Sequence, residues 1–260
     1  MEPSPERIEQ YRQLVVDALA TSNADLAQIP FNREDPQQLA VAVIYATIIE
    51  AGVECALLFQ QSVATSAPTV LRSMLESFAD LCATIKDRRY LERMLVTFDH
   101  ERSRLLKDML RSPGNPFHVE MSKSMDAKKE LADLEADIKR FADRKIRPLS
   151  QRDRFECAGQ PELIGSVYWQ LCLEAHNNIS KLEARHIIQT DTDFELVIFA
   201  ERRRGQILMY IDTLLGILLD SARRVHSFLK SEISAKYQAK MEGLQTFRAE
   251  ITAEIRRPDA

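Results

Sequence analysis

A phenol, a thiol and an imidazole stand four residues apart in Tyr168, Cys172 and His176. On a helix that spacing puts all three on one face. The result is a polar seam ending in a group that can exchange a proton near neutral pH. The plain alternative is a histidine that caps carbonyls at a helix end or bonds a neighbour. A second seam pairs Arg72 with Glu76, one turn apart between Val70, Leu71, Met74, Leu75 and Phe78. An exposed pair of this kind contributes only ~0.3–0.5 kcal/mol. The apolar flanks predict a largely buried helix, where a guanidinium or carboxylate needs a specific partner. A third group is Glu50 and Glu54, one turn apart inside YATIIEAGVECALLF. These carboxylates either ligate a metal or meet an arginine from another helix, with Arg72 the favoured candidate. A helical di-iron site takes two Glu-x-x-His motifs. This chain offers one, Glu183-Ala-Arg-His186, so neither a metal nor another cofactor is expected.

The elements that must hold these groups are helices. A first is predicted from about Pro5 to Gln28, with Ile8, Tyr11, Leu14, Val15, Leu19 and Leu26 near one face. A second starts at Asp35-Pro36, with Gln38 completing a capping box, and runs to about Gln61. It is apolar nearly all round and is therefore expected to be central. A third runs from near Ser66 to about Ile85, and a fourth from Asp87 to Ser112-Pro113-Gly114. Ser122 is expected to cap a charged fifth helix reaching Lys145, with Leu131, Leu134, Ile138 and Phe141 as its buried stripe. Residues 139–154 hold seven Lys or Arg against two Asp, which reads as a solvated loop or as a patch for an acidic partner. Gln160-Pro161 opens a helix to about His176. HIIQ, TDTD and FELVIF then read as a hairpin near 186–199. From Glu201 the helical pattern continues almost to Pro258, with a break near Ser231 or Gly243.

Composition agrees with this reading and narrows it. The 260 residues are 45% hydrophobic and 28% charged, enough for a packed core. Only seven are glycine and 7% are aromatic, too few for the turns of a sandwich or barrel or the loops of a doubly wound sheet. The expected fold is all-α: one helical domain over 1–260, a core near 39–199, one small β-hairpin and a long C-terminal helical arm over about 201–257. That arm and the fifth helix are the surfaces expected to serve self-association. A net charge of −4 gives no global attraction for nucleic acid. Four cysteines, at 55, 82, 157 and 172, are too scattered for a zinc site or disulfide frame and read as reduced thiols. The first ten residues, MEPSPERIEQ, have no apolar stretch, and the most apolar window, Gln206 to Leu219, is too short to span a bilayer. A cytoplasmic protein with no membrane partner is the expectation.

The pattern Ala67-Pro68-x-x-Leu71-Arg72-Ser73-x-Leu75-Glu76-Ser77, with Tyr168-x-x-Leu171-Cys172-x-x-x-His176 about a hundred residues later, resembles the family catalogued as domain of unknown function 5677. The resemblance covers roughly Leu39 to Phe199. It implies a mostly helical fold and places Arg72, Glu76, Tyr168 and His176 at the motif positions. Cys172 stands where the family usually has Ser, and Asn177 where a small residue or Pro often follows the His. A looser likeness reaches the HEPN superfamily, whose metal-independent RNases use Arg-x4–6-His on one helix. There His is the acid or base at the ribose hydroxyl, and Arg holds the phosphate. The two formal matches in this chain, Arg93-x6-His100 and Arg111-x6-His118, are no more than chance supplies. His176 has no arginine at that offset and would have to borrow Arg72.

Two functional readings follow. One is an interaction or small-ligand-binding protein whose Arg72, Glu76, Tyr168 and His176 form a polar network, with Cys172, Asn177, Glu50 and Glu54 as further binding candidates. The other is a HEPN-like RNase of a toxin or defence system, with RNA as its partner and His176, Arg72 and Glu76 as catalytic candidates. The apolar flanks of both motifs favour a buried, structural His176. The nuclease needs it accessible, beside a cation.

Overall fold

Ser4 opens the first helix. Its Oγ accepts from the Arg7 N–H at 3.3 Å, and Pro5 fills the first turn, where no donor is needed. The computed structural model describes residues 2–60, 66–176, 178–190, 193–198 and 202–256. Along them run α1 (Pro5–Leu26), α2 (Pro36–Gln60), α3 (Ala67–Lys86), α4 (Tyr90–Arg111), α5 (Pro116–Ser122), α6 (Ala127–Asp143) and α7 (Gln151–Ala158). A 3-10 turn (Pro161–Leu163) and a π turn (Ile164–Tyr168) lead into α8 (Trp169–Ala175). There follow α9 (Ile179–His186), β1 (Ile187–Gln189), β2 (Phe194–Leu196), α10 (Arg204–Phe228) and α11 (Ser234–Arg256). The chain is all-α with one small antiparallel hairpin, in which Ile188 pairs with Glu195.

Two compact units form. One comprises Met1–Lys86 and Phe155–Ala260, the other Asp87–Arg154. In the first, α10 packs on α1, α2, α3 and α11, while α2 and α3 pair with each other and α8 lies on α3. The expected C-terminal helical arm therefore folds inward, and Leu214, Leu218, Ala222 and Val225 of α10 are fully buried. The bundle closes at Gly52 of α2. A Cβ there would come 2.9 Å from Leu218 Cδ2 and 3.0 Å from Leu19 Cδ2, so the missing side chain lets three helices meet. In the second unit α4 and α6 run antiparallel, with ion pairs from Arg144 to Glu92 and from Arg102 to Glu130. Leu131, Leu134, Ile138 and Phe141 form the half-buried stripe of α6, as their spacing predicts.

Some local expectations need correction. Asp35 does cap α2, accepting from Gln37 N–H at 2.9 Å, but Gln38 reaches back to the Asn32 N–H instead of closing a capping box. Asn115 accepts from Phe117 N–H and starts α5, so Ser122 ends a short helix rather than beginning a long one. The cap of α6 is Asp126, whose Oδ1 accepts from the Lys128 and Lys129 N–H groups at 3.1 Å. The short helices α7 and α9 escape a reading based on long periodicity. The most apolar long helix is α2, with a mean hydropathy of 1.9 against 1.2 for α10. Both are long and apolar enough to cross a membrane by length and composition alone. In the folded chain both are core helices of the first unit, with 39% and 50% of their apolar windows buried.

Candidate functional site

Helix α3 is built to hold one polar edge beside an apolar one. Leu71, Met74, Leu75 and Phe78 enter the core, which leaves Arg72 and Glu76 half-buried along the helix side. Opposite, the chain kinks at Ser166, whose φ of −120° and ψ of −108° are not helical. The kink resets the direction of the short helix α8. It seats Tyr168 in the core, with its ring centroid 5.0 Å from that of Phe155. Helix α8 ends at Ala175, so His176 lies just past the last turn and is exposed.

The four side chains meet. The Tyr168 hydroxyl donates to Glu76 Oε1 at 2.9 Å and accepts from Arg72 Nη2 at 3.3 Å. The Arg72 guanidinium carbon sits 5.5 Å from the centre of the Tyr168 ring. Arg72 Nε is 3.1 Å from Glu76 Oε1, an ion-pair contact that lacks the alignment of a hydrogen bond. Arg72 Nη1 lies 3.2 Å from His176 Nε2. A guanidinium only donates, so Nε2 is the acceptor, which puts the proton of a neutral imidazole on Nδ1. Burial and the Glu76 carboxylate push the Tyr168 phenol well above its ordinary range, against the opposing pull of Arg72. Burial alone would weaken the charge on Arg72, but Tyr168 and Glu76 outweigh it and hold the guanidinium firmly protonated. The cation is thus fixed from one side by a phenol and a carboxylate. Its remaining edge faces an accessible imidazole.

The other candidates divide. Cys172 is half-buried on α8 between Tyr168 and His176 in sequence. Asn177 lies outside the described residues. Glu50 and Glu54 are both exposed, and neither meets Arg72, whose carboxylate partner is Glu76 on its own helix. The cause is which face of α2 turns inward. Val41, Tyr45, Ile48, Ile49, Gly52, Cys55 and Phe59 take that side, leaving Leu39, Val43, Val53 and Leu57 outside with the two carboxylates. A helix that is apolar all round does not announce its outer face. The expectation of a buried His176 also fails, because the helix stops one residue short of it. Of the formal Arg-x6-His matches, Arg93 is engaged by Asp153 at 3.0 Å, and Arg111 and His118 fall on different helices. Among the described residues no three His, Cys, Asp or Glu side chains gather as a metal set.

A family model described as a family of unknown function (DUF5677) matches residues 38–195, more than half of the chain. The chain belongs to this family. No curated protein and no solved structure matches it. The DUF5677 segment carries Arg72, Glu76, Tyr168 and His176, yet it stops before α10 and begins after α1. The sequence reading missed Glu174, buried on α8 and ringed by Lys181, Arg185 and Arg202. The available signal was the run Arg202-Arg203-Arg204 just ahead of a long apolar helix, a cluster too costly to leave without a partner.

Proposed function

We propose that this chain is a soluble, cytoplasmic binding protein that takes a small polar ligand at the seam between α3 and α8. One observation carries the reading: His176 is exposed, with Nε2 3.2 Å from a guanidinium that Tyr168 and Glu76 hold in place. A network serving only the fold would enclose its histidine, since an exposed hydrogen bond adds little. Here the buried part, Arg72 with Tyr168 and Glu76, is a support. The accessible part, Arg72 Nη1 with the imidazole, offers a donor and an acceptor side by side to a ligand bearing both. Pre-fixed polar groups of this kind bind well because little freedom is lost on contact.

The same observation favours a second reading, metal-independent RNA cleavage. There the imidazole would take the proton of a ribose 2′-hydroxyl while Arg72 held the phosphate. One comparison tests both. Wild type and His176→Ala are melted with and without a panel of unphosphorylated nucleosides and small carboxylic acids, and incubated with single-stranded RNA. The binding reading expects a ligand that raises the wild-type midpoint, an effect lost in the variant, with RNA intact in both. RNA cleavage by wild type alone selects the nuclease. A variant that responds to ligands as wild type does removes His176 from the site.

A further inference from the structure

A second polar centre lies on α8 at Glu174, two residues from Cys172 and so about 200° round the helix from the Tyr168–Cys172 face. Its carboxylate is almost fully enclosed, with 5% of the side chain exposed. Oε2 accepts from Arg202 Nη2 at 2.9 Å and from Arg185 Nη2 at 3.2 Å, and Oε1 lies 3.4 Å from Lys181 Nζ. Arg202 is 91% buried, counting from its 9% exposure, and its guanidinium rests over the Tyr210 ring with 5.6 Å to the centroid. Burial works against the charge on Glu174, but the bonds from Arg202 and Arg185 hold its carboxyl below the usual carboxylate range.

The charges do not balance. Among the described residues, four cations, Lys181, Arg185, Arg202 and Arg203, line a cavity of about 330 Å³ with Glu174 as the carboxylate, an excess of three positive charges. The donors do not balance either. Arg202 and Arg185 each keep a buried Nε with no hydrogen-bond partner among the described residues. Gathering like charges at the edge of a core is costly unless an anion joins them. The cavity also abuts the start of α10. Arg203 is the cap residue of that 25-residue helix and Gln206 lies in its first turn. An arginine side chain has no acceptor to cap the helix, so Arg203 leaves the positive end of the dipole in place, partly met by a carboxylate from the N-terminal segment. One N–H of this first turn is already used, since Arg204 N–H donates to Glu2 Oε2 at 3.1 Å.

We propose that the cavity bounded by Glu174, Lys181, Arg185, Arg202 and Arg203 binds a phosphate dianion, free or carried by a small phosphomonoester. Guanidinium groups and a helix N-terminus suit tetrahedral oxyanions, and a volume near the lower end of the usual range for ligand pockets, about 300 Å³, leaves room for a compact organic body. This site is independent of the α3–α8 seam.

The test is calorimetric titration of the full chain with inorganic phosphate and with ribose 5-phosphate. Saturable binding is expected with wild type and with His176→Ala. Binding should weaken at least tenfold in Lys181→Ala/Arg203→Ala, which removes the two cations least engaged with the buried carboxylate and leaves the Arg202–Glu174 pair in place. A melt of that double variant within a degree or two of wild type establishes that it is folded. Should it melt lower, Arg203→Ala alone, an exposed position, is titrated instead, with a several-fold loss expected. Absence of saturable phosphate binding overturns the inference, and so does binding that these variants leave unchanged. Loss in His176→Ala alone would move the anion to the other seam and overturn it equally.

Discussion

The Tyr168 hydroxyl joins the two halves of the α3–α8 seam, donating to one carboxylate and accepting from one guanidinium. Tyr168→Phe keeps the ring on Phe155 and under Arg72 but strands both partners. The expected cost is about 1–2 kcal/mol in chemical denaturation, the lower part of the range for bonds to charged groups because Arg72 and Glu76 keep some water. An unchanged midpoint would mean that solvent replaces the phenol without loss. A different residue sets the response to acid. His226 is fully buried, stacked on Tyr237 at 5.0 Å, with Tyr45, Asp25 and Lys236 as its polar neighbours. Burial lowers its pKa below the ordinary 6.5, with Lys236 acting in the same direction and Asp25 opposing. The unfolded chain therefore takes up a proton below pH 6.5 that the folded chain resists. Stability is fully present above that pH and is lost as the pH falls toward the lower folded value. Denaturation midpoints measured from pH 7 to 5 should fall, and His226→Gln should flatten that slope. A slope that persists in the variant assigns it to other groups.

Elements were legible where one signal dominated. Asp35-Pro36 marks a helix start because an accepting side chain and a donorless ring meet the same need, and α2 begins there, as α1 begins at Pro5. The hairpin was readable from β-branched runs around a polar turn, and the break near Ser231 falls between α10 and α11. What stayed hidden was set by tertiary packing. The inward face of α2 depends on Gly52 meeting α1 and α10. The position of His176 depends on a kink at Ser166 that no proline or glycine rule at that residue announces. The two seams were visible from spacing, but the meeting of Arg72 and Glu76 with Tyr168 and His176 was traceable only through a shared motif, since their helices are a hundred residues apart in sequence. Gly52→Ala tests the packing account. Alanine gains about 1 kcal/mol in helix propensity, but a methyl 2.9–3.0 Å from two leucine ends forces repacking that costs about 1–3 kcal/mol. A net loss is expected in thermal or chemical melts, and a more stable variant would show that the leucines move aside freely.

The whole molecule is more than its family segment. Residues 38–195 match DUF5677, yet the core of the first unit is completed by α1 and α10. Leu214, Leu218, Ala222 and Val225, all fully buried, lie beyond the matched range. A fragment limited to 38–195 should therefore melt without cooperativity in circular dichroism, while the full chain melts sharply. A cooperative fragment would mean that the segment carries its own core. The functional claim rests on a division within the seam, in which Arg72, Tyr168 and Glu76 serve the fold and His176 faces the ligand. The most direct test is the thermal midpoint of unliganded His176→Ala against wild type. The account predicts the same midpoint within about a degree, because an exposed imidazole contributes little to stability. A fall of several degrees, about 1 kcal/mol or more for a chain of this size, would make His176 a structural residue and contradict the account.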